Sequence, residues 1–292
     1  MCVDGLVQNI FLKGKTELKK DKLLRKLVPS VPVLARLPLF PSLLDLLDYF
    51  VKKKNPEWEK LPPASLRMRI GVGNRILNNH KIFINSAQSL IDELKDKGYL
   101  KEDSKVLELG CGCGRNALAF IKFLNNKGNY IGQDVDKEMI NWCTNNLEEE
   151  NIKFFHADLF SKVYNPNGKR INEYLLPCKD NSITIIVSVS VFSHLLYNDF
   201  KHYIVESNRV LASNGILHMT LFLLDFIQKR FNNRWTFKHK VDNCYIENVQ
   251  YPEAAVGYEL KTVEDILNSN GLSIVEIYNK DSYQPTLIAR KN

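Results

Sequence analysis

Residues 106–117, with the sequence VLELGCGCGRNA, contain the pattern that decides the fold. Apolar residues around one carboxylate predict a buried strand, and three alternating glycines lead from it into a helix-forming segment. Glycine lets the backbone turn sharply beside a ligand, and the first turn of a helix offers unpaired N–H groups. The pattern therefore predicts a site for a nucleotide-type cofactor. Its expected lining residues are Gly110, Cys111, Gly112, Gly114 and Arg115.

Glu108 stands two residues before the first glycine and helps to discriminate between cofactors. A carboxylate aimed into the loop would repel the pyrophosphate of a dinucleotide, but it suits the amino group and sulfonium of S-adenosylmethionine. The dinucleotide alternative stays open at this point, because Gly112, Gly114 and Ala117 also satisfy the G-x-G-x-x-G/A fingerprint.

Two more carboxylates stand at the ends of the next two predicted strands. Asp134, with Val135 beside it, lies about 20 residues past the glycines, where a carboxylate can accept hydrogen bonds from ribose hydroxyls. NAD and S-adenosylmethionine share that requirement, so Asp134 indicates a nucleoside without naming the cofactor. Asp158 and Leu159 follow the third predicted strand, where an acid and an apolar side chain can hold the adenine amine and cover its ring.

The E-x-G-x-G-x-G motif at residues 108–114, followed by Asp134 and Asp158, resembles the class I S-adenosylmethionine-dependent methyltransferases. The resemblance covers roughly residues 61–291 and is greatest to bacterial methyltransferases of small molecules and glycan-type acceptors, which share a PP..LR..IG entry with residues 62–71. It implies that the cofactor is S-adenosyl-L-methionine and that the chain is an enzyme. Two alternatives remain: an NAD-dependent oxidoreductase, and a cofactor-binding partner subunit without activity.

Strands that alternate with helices predict an α/β fold with a Rossmann-like, mostly parallel seven-stranded sheet, whose ligand lies at the carboxyl ends of the strands. A short connection between the last two strands predicts an antiparallel edge strand, which the resemblance also implies. The predicted strands cover residues 106–109, 129–136, 152–156, 182–190, 216–222, 272–278 and 283–290.

Residues 1–60 are expected to form a basic, partly helical N-terminal extension or lid, followed by the methyltransferase domain at 61–292. The extension holds twelve Lys/Arg and seven Asp/Glu, which gives five of the seven net positive charges of the chain. Apolar residues within 43–51 recur at helical spacing before a run of lysines, as in a lid helix or an interfacial helix. The extension is thus a candidate for peripheral membrane or homodimer contact. The polar and aromatic segment 223–258 is the expected acceptor-side insertion.

Methyl transfer requires in-line placement of the acceptor and, for a hydroxyl acceptor, removal of a proton. His194, after the fourth predicted strand, is the expected general base, with His218 and His239 as alternatives. Ser190, at the end of the same strand, is assigned to the cofactor site. Arg69 and Arg67 are candidates for binding the carboxylate of the cofactor or an anionic acceptor.

Several classes of function are not supported by the sequence. Six cysteines without a C-x-x-C pair argue against structural zinc, and no metal site is expected. The fourth strand is not followed by an Asn/Asp-Pro-Pro-aromatic run, so no nucleic-acid partner is expected. The apolar run at residues 6–12 is too short for a secretory signal, and a cytoplasmic location is therefore expected.

Overall fold

The computed structural model of the protein describes residues 40–70, 79–161, 165, 167–227 and 235–292. The chain divides into two compact units, Met1–Phe83 and Ile84–Asn292. Most of the predicted basic extension and Gly71 of the entry motif lie outside the described residues. The predicted boundary after residue 60 falls within the first unit.

The secondary structure of the described residues alternates between helices and strands. The helices are α1 Phe40–Lys53, α2 Ala64–Arg67, α3 His80–Asp96, α4 Arg115–Phe123, α5 Lys137–Leu147, α6 Tyr197–Val210, α7 Leu224–Ile227 and α8 Leu260–Ser269. The strands are β1 Lys105–Leu109, β2 Asn129–Asp134, β3 Ile152–His156, β4 Ile183–Ser188, β5 Leu211–Thr220, β6 Phe222–Leu223, β7 His239–Val241, β8 Cys244–Ile246, β9 Val256–Tyr258, β10 Leu272–Tyr278 and β11 Thr286–Lys291.

Seven strands form one sheet in the order β3-β2-β1-β4-β5-β11-β10, which confirms the predicted Rossmann-like α/β fold. The first five strands of this sheet run parallel. Strand β11 pairs antiparallel with both β5 and β10, because the short connection after β10 reverses the chain. The antiparallel strand therefore lies next to the edge, and β10 forms the edge itself.

Both faces of this sheet are buried, as expected where helices cover a parallel sheet. On β1, Leu107 and Leu109 join one hydrophobic cluster, whereas Val106 joins the cluster on the other face. The same division on β4 assigns Ile186 to the first cluster and Ile185 to the second. This arrangement leaves the carboxyl ends of the strands, and the loops that follow them, to form a site.

The segment predicted as an insertion contains a second, smaller sheet in the order β6-β9-β8-β7. Residues 228–234 within this segment lie outside the described residues. Apolar side chains on either side of this gap share one core cluster. Its buried members are Phe222, Leu224, Ile227, Phe237 and Ala255.

In the first unit, α1 confirms the helical spacing predicted from the sequence. The apolar cluster between α1 and α2 is small and consists of Leu44, Ala64 and Met68. A turn at Pro56–Trp58 follows α1 and buries its tryptophan.

Candidate functional site

The glycine loop after β1 is fixed to the end of β2 by backbone hydrogen bonds. The N–H groups of Gly110 and Cys111 both donate to the carbonyl oxygen of Gln133, at 2.8 Å and 3.0 Å. Gly110, Gly112 and Gly114 have φ values of 75°, 54° and 79°, which favour glycine over residues with a Cβ. Gly114 is also the residue that precedes α4, so the loop ends at a helix N-terminus.

Asp134 is half-buried at the end of β2 and orients the loop through its side chain. Its Oδ2 accepts a hydrogen bond from the N–H of Gly112 at 2.7 Å, and its Oδ1 accepts one from the N–H of Asp136 at 2.8 Å. These bonds hold the carboxylate in one orientation beside the loop. Val135, which follows Asp134, is partly buried against the core.

Glu108 is 2% exposed, on β1 beneath the loop. Its Oε2 accepts a hydrogen bond from the Tyr130 hydroxyl at 2.5 Å, and its Oε1 accepts one from Asn116 Nδ2 at 2.7 Å. Burial raises the pKa of Glu108 to about 7, although both hydrogen bonds and the nearby Arg115 charge oppose the rise. The carboxyl group therefore changes its charge near neutral pH.

Arg115, the first residue of α4, is half-buried beside Glu108. Burial lowers its pKa, whereas the charge of Glu108 acts in the opposite direction. Its Nε atom is buried and has no hydrogen-bond partner among the described residues. An unmatched buried donor of this kind is a feature that a bound ligand would satisfy.

The end of β4 lies against the glycine loop, because Val191 contacts the Cα side of Gly110. The turn Phe192–His194 follows directly, and the His194 N–H donates to the Val191 carbonyl at 2.8 Å. His194, the candidate base, is therefore the last residue of a turn whose preceding residue, Val191, contacts the glycine loop.

His194 is oriented by the small sheet's segment. Its Nδ1 lies 2.8 Å from the carbonyl oxygen of Glu253. A carbonyl can only accept, so Nδ1 carries the proton and Nε2 carries the lone pair. The surrounding protein removes water from the ring and lowers the pKa of His194, although the Glu253 carbonyl acts in the opposite direction. The ring is therefore neutral at neutral pH, with Nε2 able to accept a proton.

Ser190 joins the ends of three strands near the same turn. It has φ of 60°, a strained value for a residue other than glycine, and such strain is often found at functional sites. Its N–H donates to Thr220 Oγ1 at 2.8 Å, and its hydroxyl donates to Gln284 Oε1 at 2.8 Å. Thr220 ends β5, and Gln284 lies in the connection between β10 and β11.

Asp158 and Leu159, expected at the adenine, follow β3. Asp158 is exposed, and its Oδ1 accepts a hydrogen bond from Asn165 Nδ2 at 3.1 Å. Leu159 is buried and belongs to the main core cluster. The Asp158 side chain is thus accessible, whereas that of Leu159 packs inward.

The alternative bases lie in different surroundings. His218 is buried on β5, and its Nε2 lies 3.7 Å from Glu93 Oε1. His239 is exposed at the start of β7.

Arg67 is completely buried in the first unit, which corrects the interpretation of it as a ligand-binding residue. Its Nη1 and Nη2 bind the two oxygens of Asp48 at 3.0 Å and 2.7 Å. Its Nε donates to Asn79 Oδ1 at 2.8 Å. The guanidinium is therefore a structural part of that unit. Arg69, two residues later, is half-buried.

Sequence reasoning missed the residues that support the predicted ones: Asn116, Tyr130, Gln133, Thr220, Glu253 and Gln284. Asn116 alone had a visible indication, since it is a polar residue in the first turn of the helix after the glycine loop.

Over residues 40–70, 79–161, 165, 167–227 and 235–292, the structure shows no group of three or more side chains suited to a metal ion. No helix in those ranges has the length and apolarity needed to cross a membrane.

Part of the chain is similar in sequence to known proteins. Residues 107–219 match the family described as Methyltransferase domain, a segment that contains the glycine loop, Asp134 and His194. An uncharacterized protein of Haemophilus influenzae is 29% identical over 127 residues, which are 43% of this chain and 45% of the relative. The chain thus matches less than half the length of this curated relative.

Solved structures with a similar fold include three methyltransferases. A SAM-dependent methyltransferase from Aquifex aeolicus is 20% identical, with 74% of this chain and 94% of that chain covered and a TM-score of 0.47. One from Mesorhizobium loti is 13% identical, with coverage of 67% and 95% and a TM-score of 0.48. The 1,6-didemethyltoxoflavin-N1-methyltransferase of Burkholderia thailandensis, with bound 1,6-didemethyltoxoflavin and S-adenosylhomocysteine, is 10% identical, with coverage of 88% and 91% and a TM-score of 0.46.

Proposed function

We propose that this chain, whose residues 107–219 are a class I S-adenosylmethionine-dependent methyltransferase domain, transfers a methyl group to a hydroxyl of a small-molecule or glycan-type acceptor. The domain is an enzyme domain, and its cofactor is S-adenosylmethionine. The observation that carries the finer proposal is the contact of Val191 with Gly110, which joins the glycine loop to the turn that contains His194. The residues that we propose bind the cofactor and the proposed base are thereby neighbours.

The residues of the loop fit the cofactor. Glycines with positive φ leave room for a ligand beside the backbone, and the unmatched Nε of Arg115 offers a donor next to it. The fixed carboxylate of Asp134 would accept hydrogen bonds from the ribose hydroxyls. Asp158, exposed and accessible, would hold the adenine amine. Ionised Glu108 would favour the cationic part of the cofactor from beneath the loop.

The cofactor supplies a methyl group on a sulfonium, which is already a good leaving group. The protein's tasks are to place the acceptor oxygen in line with that methyl and to accept the hydroxyl proton. His194 Nε2 would accept the hydroxyl proton of an acceptor that is held in line with this methyl group. The Glu253 carbonyl keeps the correct ring nitrogen free for this step, because it holds the proton of Nδ1.

The small sheet's segment supports an organic acceptor with apolar parts. Phe222, Trp235 and Phe237 form an aromatic group with ring centroids 5.1–6.1 Å apart in the same segment that orients His194. Phe222 and Phe237 are buried in the core of this segment, so the partly exposed ring of Trp235 is the one that can face the carbon skeleton of a ring or sugar. A cytoplasmic location remains part of this proposal, and so does the absence of a nucleic-acid acceptor.

The proposal is tested by two measurements on the full chain. Isothermal titration should show S-adenosylmethionine or S-adenosylhomocysteine binding and no NAD binding. Incubation with methyl-labelled S-adenosylmethionine and fractionated extract should transfer label to a small molecule or glycan that resists hydroxylamine and acid as an ether does. Cofactor binding without any labelled product would support the non-catalytic partner alternative. Label on protein or nucleic acid would overturn the acceptor class.

A further inference from the structure

Helix α1 of the first unit presents its charged residues to the protein and its large apolar residues to solvent. Asp48 is 1% exposed, and Asp45 and Lys52 are partly buried on the same side of the helix. Beside Tyr49, which is 54% exposed, the exposed side carries four large residues without polar side-chain atoms, each between 46% and 57% exposed. These residues, Leu43, Leu46, Leu47 and Phe50, form the apolar stripe of α1.

The inward side of α1 is fixed by polar contacts with the rest of the first unit. Asp48 binds both terminal nitrogens of Arg67, and its Oδ1 lies 2.7 Å from His80 Nε2. The two oxygens of Asp45 accept from the N–H and hydroxyl of Ser65, at 2.8 Å and 2.7 Å. These contacts set the rotation of the helix about its own axis.

Rotation of α1 to bury the stripe would be opposed by these contacts. It would take Asp48 away from Arg67, which is fully buried, and a buried charge without its partner is strongly destabilising. His80 would lose the same carboxylate, while its ring stays stacked on Trp58 with centroids 4.3 Å apart. The exposure of the stripe is therefore specified by the sequence.

The stripe has the spacing of a helix that lies on a surface. Its members follow one another at i, i+3, i+4 and i+7, which places them within about 100° of the helix circumference. Lys53 and Lys54 are exposed directly after the stripe, and Lys53 Nζ lies over the Tyr49 ring at 5.9 Å. Both carboxylates of the helix are turned inward. The exposed side of α1 therefore combines apolar and cationic groups with two neutral hydroxyls, those of Ser42 and Tyr49, and carries no exposed carboxylate.

We propose that the apolar stripe of α1 and its lysines bind an anionic lipid surface. Apolar side chains enter the boundary between headgroups and acyl chains, and lysines at the end of the helix are attracted to anionic headgroups. Exposed carboxylates follow only after the lysines in this part of the chain, at Glu57 and Glu59 of the next turn. A second copy of the chain fits the stripe less well, because each chain carries a net charge of +7.

Binding of this kind is weak and reversible. A stripe from residue 43 to residue 50 is about 10 Å long at the helical rise per residue, so few side chains enter the lipid. Part of the affinity is electrostatic and therefore falls as salt screens the lysines. The proposal concerns attachment only and does not depend on the identity of the methyl acceptor.

Flotation of the full chain with vesicles tests the proposal. Phosphatidylcholine vesicles that contain phosphatidylglycerol should retain the protein at low salt, whereas vesicles of phosphatidylcholine alone should retain much less. The variant Leu46→Ser/Phe50→Ser should bind at least roughly tenfold less, since it removes apolar groups that enter the lipid. Lys53→Gln/Lys54→Gln should bind less and lose most of the salt dependence.

The matched control is Leu175→Ser, which removes a leucine of the second unit that is 65% exposed and thus more exposed than the replaced residues of the stripe. It should bind vesicles like the unchanged protein. Circular dichroism and the melting temperature should be unaltered in all variants, because every replaced side chain is exposed. Binding that is equal for both vesicle types, or unchanged in Leu46→Ser/Phe50→Ser, overturns the proposal. Self-association that is lost in that variant would identify a second copy as the occupant instead. If that variant bound S-adenosylmethionine more weakly in the absence of vesicles, the stripe would instead act as a lid.

Discussion

A Cβ atom built on Gly110 would lie 2.3 Å from Cγ2 of Val191. Real Cβ atoms essentially never approach other heavy atoms so closely, so the absence of a side chain at Gly110 is what allows β4 to end against the glycine loop. The contact is the link between the two halves of the candidate site, because Gly110 belongs to the loop that we propose binds the cofactor and Val191 begins the turn with His194.

Replacement of Gly110 by alanine should damage both stability and cofactor binding. We expect Gly110→Ala to lower the free energy of unfolding by about 3 kcal/mol, since it adds a steric overlap to the strain of an alanine at positive φ. The affinity for S-adenosylmethionine should fall roughly tenfold or more, because the loop must move. Denaturant unfolding and isothermal titration measure the two effects.

Gly98→Ala is the matched control for this variant. Gly98 has a φ of 73°, almost the same as the 75° of Gly110, and a Cβ there would meet nothing within 4 Å. It should therefore cost only the backbone strain, about 1 kcal/mol, and leave cofactor affinity unchanged. Adding Val191→Ala to Gly110→Ala should recover part of the loss. Equal costs for Gly98→Ala and Gly110→Ala would show that the contact with Val191 has no energetic importance.

The carboxylate of Asp134 should be required for cofactor affinity. Asp134→Asn keeps the size of the side chain but turns one acceptor oxygen into a donor, which opposes one of the two backbone N–H groups that donate to Asp134. We expect the dissociation constant for S-adenosylmethionine to rise about 10- to 100-fold, as for the loss of hydrogen bonds to a charged group. Isothermal titration gives the constant directly.

Asp136→Ala separates loop binding from general damage to this region. Asp136 caps α5 through the N–H groups of Glu138 and Met139, at 3.1 Å and 3.3 Å. Its loss should cost about 1 kcal/mol of stability and leave the cofactor affinity near that of the unchanged protein. If both variants weakened the cofactor equally, Asp134 would have no specific role in binding.

His194 should control the rate and not the cofactor affinity. His194→Ala is expected to lower kcat by about 100- to 10,000-fold, the usual contribution of a general base, while the dissociation constant for S-adenosylmethionine stays unchanged. The base acts when neutral, and the pKa of His194 is lowered. The rate should therefore rise with pH along a limb centred below the ordinary histidine pKa, and His194→Ala should abolish that limb. His239→Ala, which removes an exposed histidine of the small sheet, should retain the full rate and the limb.

The sequence predicted the large sheet well because its strands are periodic and each is followed by a recognisable turn. All seven predicted strands exist, and the glycines, Asp134 and the turn with His194 meet at the carboxyl ends of the sheet. Their meeting follows from the topology of a parallel sheet, where consecutive loops emerge at one edge. Patterns within a strand were sufficient for this part of the prediction.

Contacts between distant positions could not be predicted in this way. The partners of Glu108 lie on α4 and β2, and local periodicity does not indicate that they share one carboxylate. Helix α1 illustrates the same limit. Its spacing predicted which residues share a face, but the buried Arg67 decides that the face with Asp48 turns inward. Pairing of buried charges outweighs apolar burial there.

Glu108 should link stability and cofactor binding to pH in opposite directions. Burial is the chief cause that raises its pKa from 4.5, the ordinary value of a glutamate, to about 7. The folded chain then holds a proton that the unfolded chain releases, so stability should fall as pH rises between the two values, by about 3 kcal/mol in total. Glu108→Gln should remove this slope and be the more stable protein above about pH 7.

The affinity for the cofactor should change with pH in the opposite direction. It should increase as pH rises and Glu108 ionises, and Glu108→Gln should lack that increase. Melting curves and titrations across this range test both effects, with exposed Glu149→Gln as a control that changes neither. A Glu108→Gln variant that bound S-adenosylmethionine with the unchanged pH dependence would remove Glu108 from the cofactor site.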